Sequence, residues 1–244
     1  MAPVTLLSTE GLSRSFGGLK AVQNVDFSLD TGEIRAIIGP NGAGKTTFVS
    51  LLSGRIAPSR GSVHFLGRDI TKDPAHKRVR NGIAYTFQIT SVYAKLTARE
   101  NVALAAQSAL TRSGRVHKKE LDEHISSALA KVGLSDRSEA IAGELSYGHQ
   151  RLLEVAMGLA LEPKLLILDE PTQGLSDGEI DNFCGLVKDI ARNATILLIE
   201  HNMPVVMRLA DRITVLNAGE VLANGTPEAI RADAAVQAAY LGSQ

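Results

Sequence analysis

The chain has 244 residues, 44% of them hydrophobic, enough for one large α/β domain or two small ones with a substantial core. Lys and Arg number 26 and Asp and Glu also number 26, so no net positive field draws the chain to nucleic acid or anionic lipid. A single cysteine, Cys184, excludes an intramolecular disulfide and fits a reducing compartment.

The opening residues, Met1 to Glu10, lack the basic start and long apolar centre of a secretory signal, and export is not expected. Val4 to Ser8, Val25 to Leu29 and Ser62 to Leu66 are short, turn-bounded β-forming runs with no long helix between the first two. They predict an antiparallel β portion near the N-terminus. Glu33 to Ile38 is a buried-strand pattern followed by a helical stretch, Lys45 to Leu52. A helical insert is expected from about Gln88 to Leu161, with a break at Thr111 to Arg115. Arg115-Val-His-Lys-Lys119 is followed at once by Glu120, Asp122 and Glu123, a solvated helix face and not a binding patch. Two further strand–helix units follow: Leu165 to Leu168 with Gly178 to Ile190, and Ala194 to Ile199 with Pro204 to Leu209. Their alternation predicts a mostly parallel sheet. No apolar run approaches the roughly 20 residues that cross a bilayer, so at a membrane another polypeptide must hold this one.

Gly39-Pro40-Asn41-Gly42-Ala43-Gly44-Lys45-Thr46, followed by Thr47, matches G-x-x-x-x-G-K-[ST] between a predicted strand and a predicted helix. Glycines let backbone N–H groups turn toward phosphate oxygens, the helix start adds its positive dipole end, and Lys45 supplies a charge for the β and γ phosphates. The Thr46 hydroxyl is a ligand for Mg²⁺. Downstream, Leu165-Leu-Ile-Leu-Asp169-Glu170 ends an apolar strand in two carboxylates. Asp169 suits Mg²⁺, and Glu170 suits proton acceptance from an attacking water. These elements predict a nucleotide hydrolase without saying which kind.

Leu145-Ser146-Tyr147-Gly148-His149-Gln150-Arg151 resembles the signature of the ABC ATPases, normally Leu-Ser-Gly-Gly-Gln, ahead of an apolar-rich helix from about Gln150 to Leu161. The resemblance implies a RecA-like P-loop α/β core with an antiparallel β portion and a helical subdomain at about 88–161, all within one ATPase domain spanning 1–244. It implies that Ser146, Gly148 and His149 reach the nucleotide of an opposite subunit in a head-to-tail pair. Gln88 corresponds to the glutamine that meets Mg²⁺ and the lytic water, and His201 to the histidine that contacts the γ-phosphate. Phe16 matches the aromatic that stacks on adenine, with Val22 beside it. Two departures stand out: Tyr147 and His149 replace a glycine and a glutamine. Ser176 occupies the position where many of these proteins carry aspartate, and Asp177 is one residue late.

Phe16-Gly-Gly-Leu-Lys-Ala-Val22, Thr86-Phe-Gln88, Leu-Ser-Tyr-Gly, and the ending Gly225-Thr-Pro-Glu with Ala239-Tyr-Leu-Gly242 resemble the ATPases of branched-chain amino-acid importers. The implied partners are integral-membrane permease subunits, a second ATPase of the same or a related kind, and indirectly a solute-binding protein. The implied cofactors are ATP and Mg²⁺, and the implied place is the cytoplasmic face of the inner membrane. The alternatives are the ATPase of a lipopolysaccharide-export system and a soluble, non-transport ABC protein. Ile89, Val92, Tyr93 and Leu96 form an apolar segment after Gln88 that reads equally as a docking surface or as helical-subdomain core.

Overall fold

The computed structural model describes residues 4–86, 91–110 and 117–241. They fall into two compact units: residues up to Arg78 together with those from Ala191 onward, and Val79–Ile190.

β1 (Thr5–Phe16) and β2 (Leu19–Asp30) form an antiparallel hairpin across Gly17 and Gly18. At 12 residues each they are longer than the short runs expected from the sequence. The cause is irregular pairing. The register shifts between Thr9 and Leu12, with Gly11 at φ 56° and Asn24 at φ 46°, and an inserted residue resets the inside–outside alternation that marks a strand.

β3 (Ile34–Ile38) is buried at every position, including Arg35, as a strand with neighbours on both sides must be. Arg35 is satisfied inside by Glu33 Oε1 at 2.6 Å and Thr214 Oγ1 at 3.0 Å. The chain then enters α1 (Lys45–Leu52), and β4 (Arg60–Phe65) with the short β5 (Arg68–Asp69) completes an antiparallel sheet in the order β2-β1-β4-β5. α2 (Ala75–Asn81) carries Arg78, which is 1% exposed. Its guanidinium donates to the carbonyls of Leu51 and Leu52 at 2.8 Å, of Asp73 at 2.9 Å and of Thr71 at 3.1 Å. Burial pushes its pKa down to about 10.

In the other unit, β6 (Ile83–Thr86) lies parallel to the later β7. α3 (Ala98–Leu110), α4 (Lys118–Lys131) and α5 (Tyr147–Ala160) pack on one another through residues such as Val102, Leu129 and Leu153. The break expected at Thr111 to Arg115 lies outside the described residues. β7 (Leu165–Asp169) is fully buried, and α6 (Asp177–Ala191) follows.

Returning to the first unit, β8 (Thr195–Ile199), α7 (Met203–Leu209), β9 (Arg212–Asn217) and β10 (Glu220–Gly225) follow, ahead of α8 (Pro227–Ala232) and α9 (Ala234–Leu241). β3 runs parallel to both β8 and β9, while β10 pairs antiparallel with β9. Ala36, Ile38, Val206, Ile213, Val215 and Ile230 form a core beneath these strands. Among the described residues no helix is long and apolar enough to cross a membrane.

Candidate functional site

In the first unit, β3 delivers the chain into the loop Gly39 to Gly44, and α1 starts at Lys45. Gly44 has φ 96°, and a Cβ there would lie 2.2 Å from the Ala21 carbonyl oxygen, so only glycine fits the turn into the helix. Asn41 and Gly42 are exposed, Pro40 and Gly44 half-buried, and Ala43 is buried under the loop. Lys45 is 7% exposed, and its Nζ donates to the Gly39 carbonyl at 2.6 Å and the Pro40 carbonyl at 3.0 Å. The ammonium is thereby folded across the loop that the motif assigns to phosphate. Thr46, in the first turn of α1, is exposed and Thr47 half-buried.

Phe16 ends β1, 45% exposed as a residue, with the Arg14 guanidinium 4.7 Å from its ring centroid. Val22, expected beside it at the adenine, is 1% exposed. Val22 faces Arg14 across the β1–β2 hairpin, and Phe16 is the more exposed of the two apolar side chains. His201 is exposed just beyond β8. Its backbone N–H donates to Glu200 Oε2 at 2.9 Å, and the same oxygen accepts the N–H of Asn202 at 3.1 Å. Buried Glu200 shapes this turn, a role that sequence reasoning missed.

In the second unit, Asp169 is 1% exposed at the end of β7 and accepts the Tyr85 hydroxyl at 2.5 Å. Glu170 follows at φ 48°, a left-handed conformation costly for a residue with a Cβ, and it turns the chain sharply off the strand. Gln88 and Ile89 lie outside the described residues. Tyr93 is 57% exposed, with its backbone pinned: its N–H donates to Asn101 Oδ1 at 2.7 Å, and Asn101 Nδ2 returns a bond to its carbonyl at 3.1 Å. Val92 and Leu96 are half-buried.

Helix α5 begins three residues earlier than expected because the Ser146 side chain caps it, accepting the His149 N–H at 3.3 Å. The Ser146 hydroxyl oxygen also lies 2.8 Å from His149 Nδ1, and Gly148 is buried. Tyr147 starts a side-chain network not foreseen in the sequence. Its hydroxyl accepts from Arg151 Nη2 at 2.8 Å and Nε at 3.1 Å, and Arg151 Nη1 pairs with Glu154 Oε2 at 2.9 Å. Glu154 Oε1 in turn accepts the Ser91 N–H at 2.6 Å. The Tyr147 ring packs on Gly174, where an added Cβ would lie 2.9 Å from its Cε1. Ser176 donates its N–H at 2.8 Å and its hydroxyl at 2.7 Å to Glu179 Oε2. These two bonds, the backbone one foremost, hold the Glu179 carboxyl below the usual range. Ser176 is thus used in capping α6, and Asp177 sits in that helix's first turn.

A family model described as ABC transporter matches residues 22–173. The chain belongs to the ABC transporter family. A second model, for the branched-chain amino acid ATP-binding cassette transporter, matches residues 220–244. The high-affinity branched-chain amino acid transport ATP-binding protein BraF of Pseudomonas aeruginosa is 39% identical, over 97% of this chain and 98% of its own length. LivG of Escherichia coli, described in the same terms, is also 39% identical over the same shares. The lipopolysaccharide export ATP-binding protein LptB of Acidithiobacillus ferridurans is 35% identical, over 98% of each chain. Among solved structures, a nucleotide-free ATP-binding cassette from an ABC transporter superposes with a TM-score of 0.87 at 27% identity, covering 97% of this chain and 99% of its own. The ADP conformation of the cassette MJ1267 gives 0.85 at 28%, covering 98% and 99%. This ABC chain is therefore a nucleotide-binding, transport-coupled ATPase with the RecA-like P-loop core, antiparallel β portion and helices of its family, and the export relative is the less similar of the three.

Proposed function

We propose that this ABC chain is the ATP-hydrolysing subunit of an importer for branched-chain amino acids or a related small solute, working at the cytoplasmic face of the inner membrane. Identity to BraF and LivG along nearly the whole chain, together with the match over residues 220–244, supports the solute class. The observation that carries the chemistry is the loop before α1, where Lys45 already holds two loop carbonyls at hydrogen-bond distance. Phosphate oxygens compete for that ammonium and for the amides at the helix start.

Among the described residues no group of three His, Cys, Asp or Glu side chains could hold a metal. A lone carboxylate, Asp169, and a hydroxyl, Thr46, with Gln88, suit a Mg²⁺ that arrives on the nucleotide and takes its remaining ligands from phosphate and water. In the proposed reaction Glu170 accepts a proton from water as the water oxygen bonds to the γ-phosphorus. The β,γ-bridging oxygen leaves with the electron pair on ADP, and His201 contacts the departing phosphoryl group. Phe16 stacks on the adenine. Ser146, Gly148 and His149 complete the nucleotide site of an opposite ATPase subunit, which is the same chain or a related one. The helical subdomain at 88–161, with exposed Tyr93, receives the permease, and a solute-binding protein acts through that permease.

Glu170→Gln keeps the shape of the site and removes the base. It is expected to bind ATP as the parent does and to hydrolyse it at least 100-fold more slowly, given the usual worth of a general base. Hydrolysis at the parent rate would remove Glu170 from the role. Amino-acid uptake by vesicles carrying the copurified permease tests the solute class.

A further inference from the structure

His149 stands where the family signature has glutamine, and its ring nitrogen Nδ1 lies 2.8 Å from the Ser146 hydroxyl oxygen of the same segment. We propose that His149 is a positioning residue that sets the direction of the Ser146 hydroxyl, so that ATP-dependent pairing of subunits follows the protonation of its imidazole. The proposal rests on the reading that Ser146 meets the phosphate held by an opposite subunit.

A serine hydroxyl has one proton to donate and two lone pairs to offer. One lone pair of Ser146 is committed to the helix cap through the His149 N–H. In the neutral ring with its proton on Nε2, the Ser146 hydroxyl donates to Nδ1 and turns only its remaining lone pair toward an approaching phosphate, which repels it. When the imidazole is protonated, Nδ1–H donates to the second lone pair and the hydroxyl proton is released to point outward. One proton is taken from solvent, no covalent bond among heavy atoms changes, and Ser146 passes from donor to the ring to donor for an anion. The ring charge also adds to the positive end of α5, where anions are favoured.

Charged groups from α4, α5 and α6 share the surroundings of this ring. Glu179 of α6 presses its Oε1 against Gly148, where a Cβ would lie 2.4 Å from it, and the His149 charge contributes to holding that carboxyl low. Lys131 from the end of α4, and Asp181 and Asp189 from α6, line the same cavity of about 500 Å³ as His149. On α5 itself Arg151 is paired with Glu154.

The test uses the full chain carrying Glu170→Gln, so that bound ATP persists, and measures its ATP-dependent pairing by sedimentation between about pH 6 and pH 8.5, the range in which histidines titrate. The partner is a second copy or the ATPase chain that copurifies. Pairing should strengthen about tenfold or more as the pH falls, the scale of one hydrogen bond gained to a charged group. His149→Gln in the same background should pair with little pH dependence, and Ser146→Ala should lose the slope although the ring remains. Titration of the nucleotide phosphates is common to all variants and cancels in the comparison. Equal slopes with His149 and with glutamine would overturn this proposal while leaving the shared site intact. Absence of pairing with ATP at every pH would overturn the shared-site reading and this proposal with it.

Discussion

The loop before α1 and the segment opening α5 both lead into the N-terminus of a helix, yet they are held by different means. The first is fixed by backbone: Gly44 fits under the Ala21 carbonyl only without a Cβ, and Lys45 binds main-chain oxygens. The second is fixed by side chains, from Ser91 through Glu154 and Arg151 to Tyr147, with Gly174 against the ring. A backbone-built turn writes itself into the residues that form it. A side-chain network depends on positions far apart in the chain and leaves no local mark.

The largest expected effect comes from breaking the side-chain scaffold. Arg151 and Glu154 are 3% and 4% exposed, and removing one partner strands a buried charge. Arg151→Met is expected to cost about 3 to 5 kcal/mol, a fall in melting temperature of about 10 °C. Arg151→Met with Glu154→Leu should recover most of it, because the uncompensated carboxylate is gone. A single variant that melts with the parent would show that the network carries no stability.

The backbone-built loop should respond more modestly in stability but severely in binding. Gly44→Ala forces a shift against a main-chain oxygen at φ 96°, with strain of about 1 to 3 kcal/mol. A few degrees of melting temperature and at least tenfold in nucleotide affinity should be lost together, measured by thermal melts and titration calorimetry. Retained affinity would mean that the loop relaxes, and the contrast with the second segment would disappear.

The smallest effect on stability is expected at Tyr93. The residue is 57% exposed while Asn101 holds its backbone, so Tyr93→Ala should move the melting temperature by no more than about 1 °C. If the ring is a docking anchor, recovery of the permease with the tagged subunit should fall sharply. A variant that melts several degrees early would return Tyr93 to the core.

Much of the framework was legible because its signals are local. β3, α1, β7, α6, β8 and α7 fall within one residue of the expected bounds, since buried parallel strands are unbroken apolar runs and the intervening helices start at recognisable turns. β1 and β2 were read as fragments because Gly11 and Asn24 sit at register shifts that interrupt the alternation. At the candidate site the phosphate loop and the two terminal carboxylates were visible as types in order. The burial of Val22, the left-handed turn at Glu170, the Glu200 bonds that shape the His201 turn and the Tyr147 network were not, because each is decided by partners or backbone angles that no spacing encodes.

Arg78 is expected to bear on nucleotide affinity from the far end of α1. It grips the last carbonyls of α1 while Lys45 stands at the other end, about 10 Å away at 1.5 Å per residue. A short helix anchored at its far end has little freedom left to rock. If the amides at its start receive phosphate as proposed, anchoring of the helix reduces the motional entropy surrendered on binding. The guanidinium at the tail of α1 would then set the stiffness of the proposed phosphate site, and its loss should appear as a more unfavourable binding entropy with the enthalpy of the phosphate contacts unchanged.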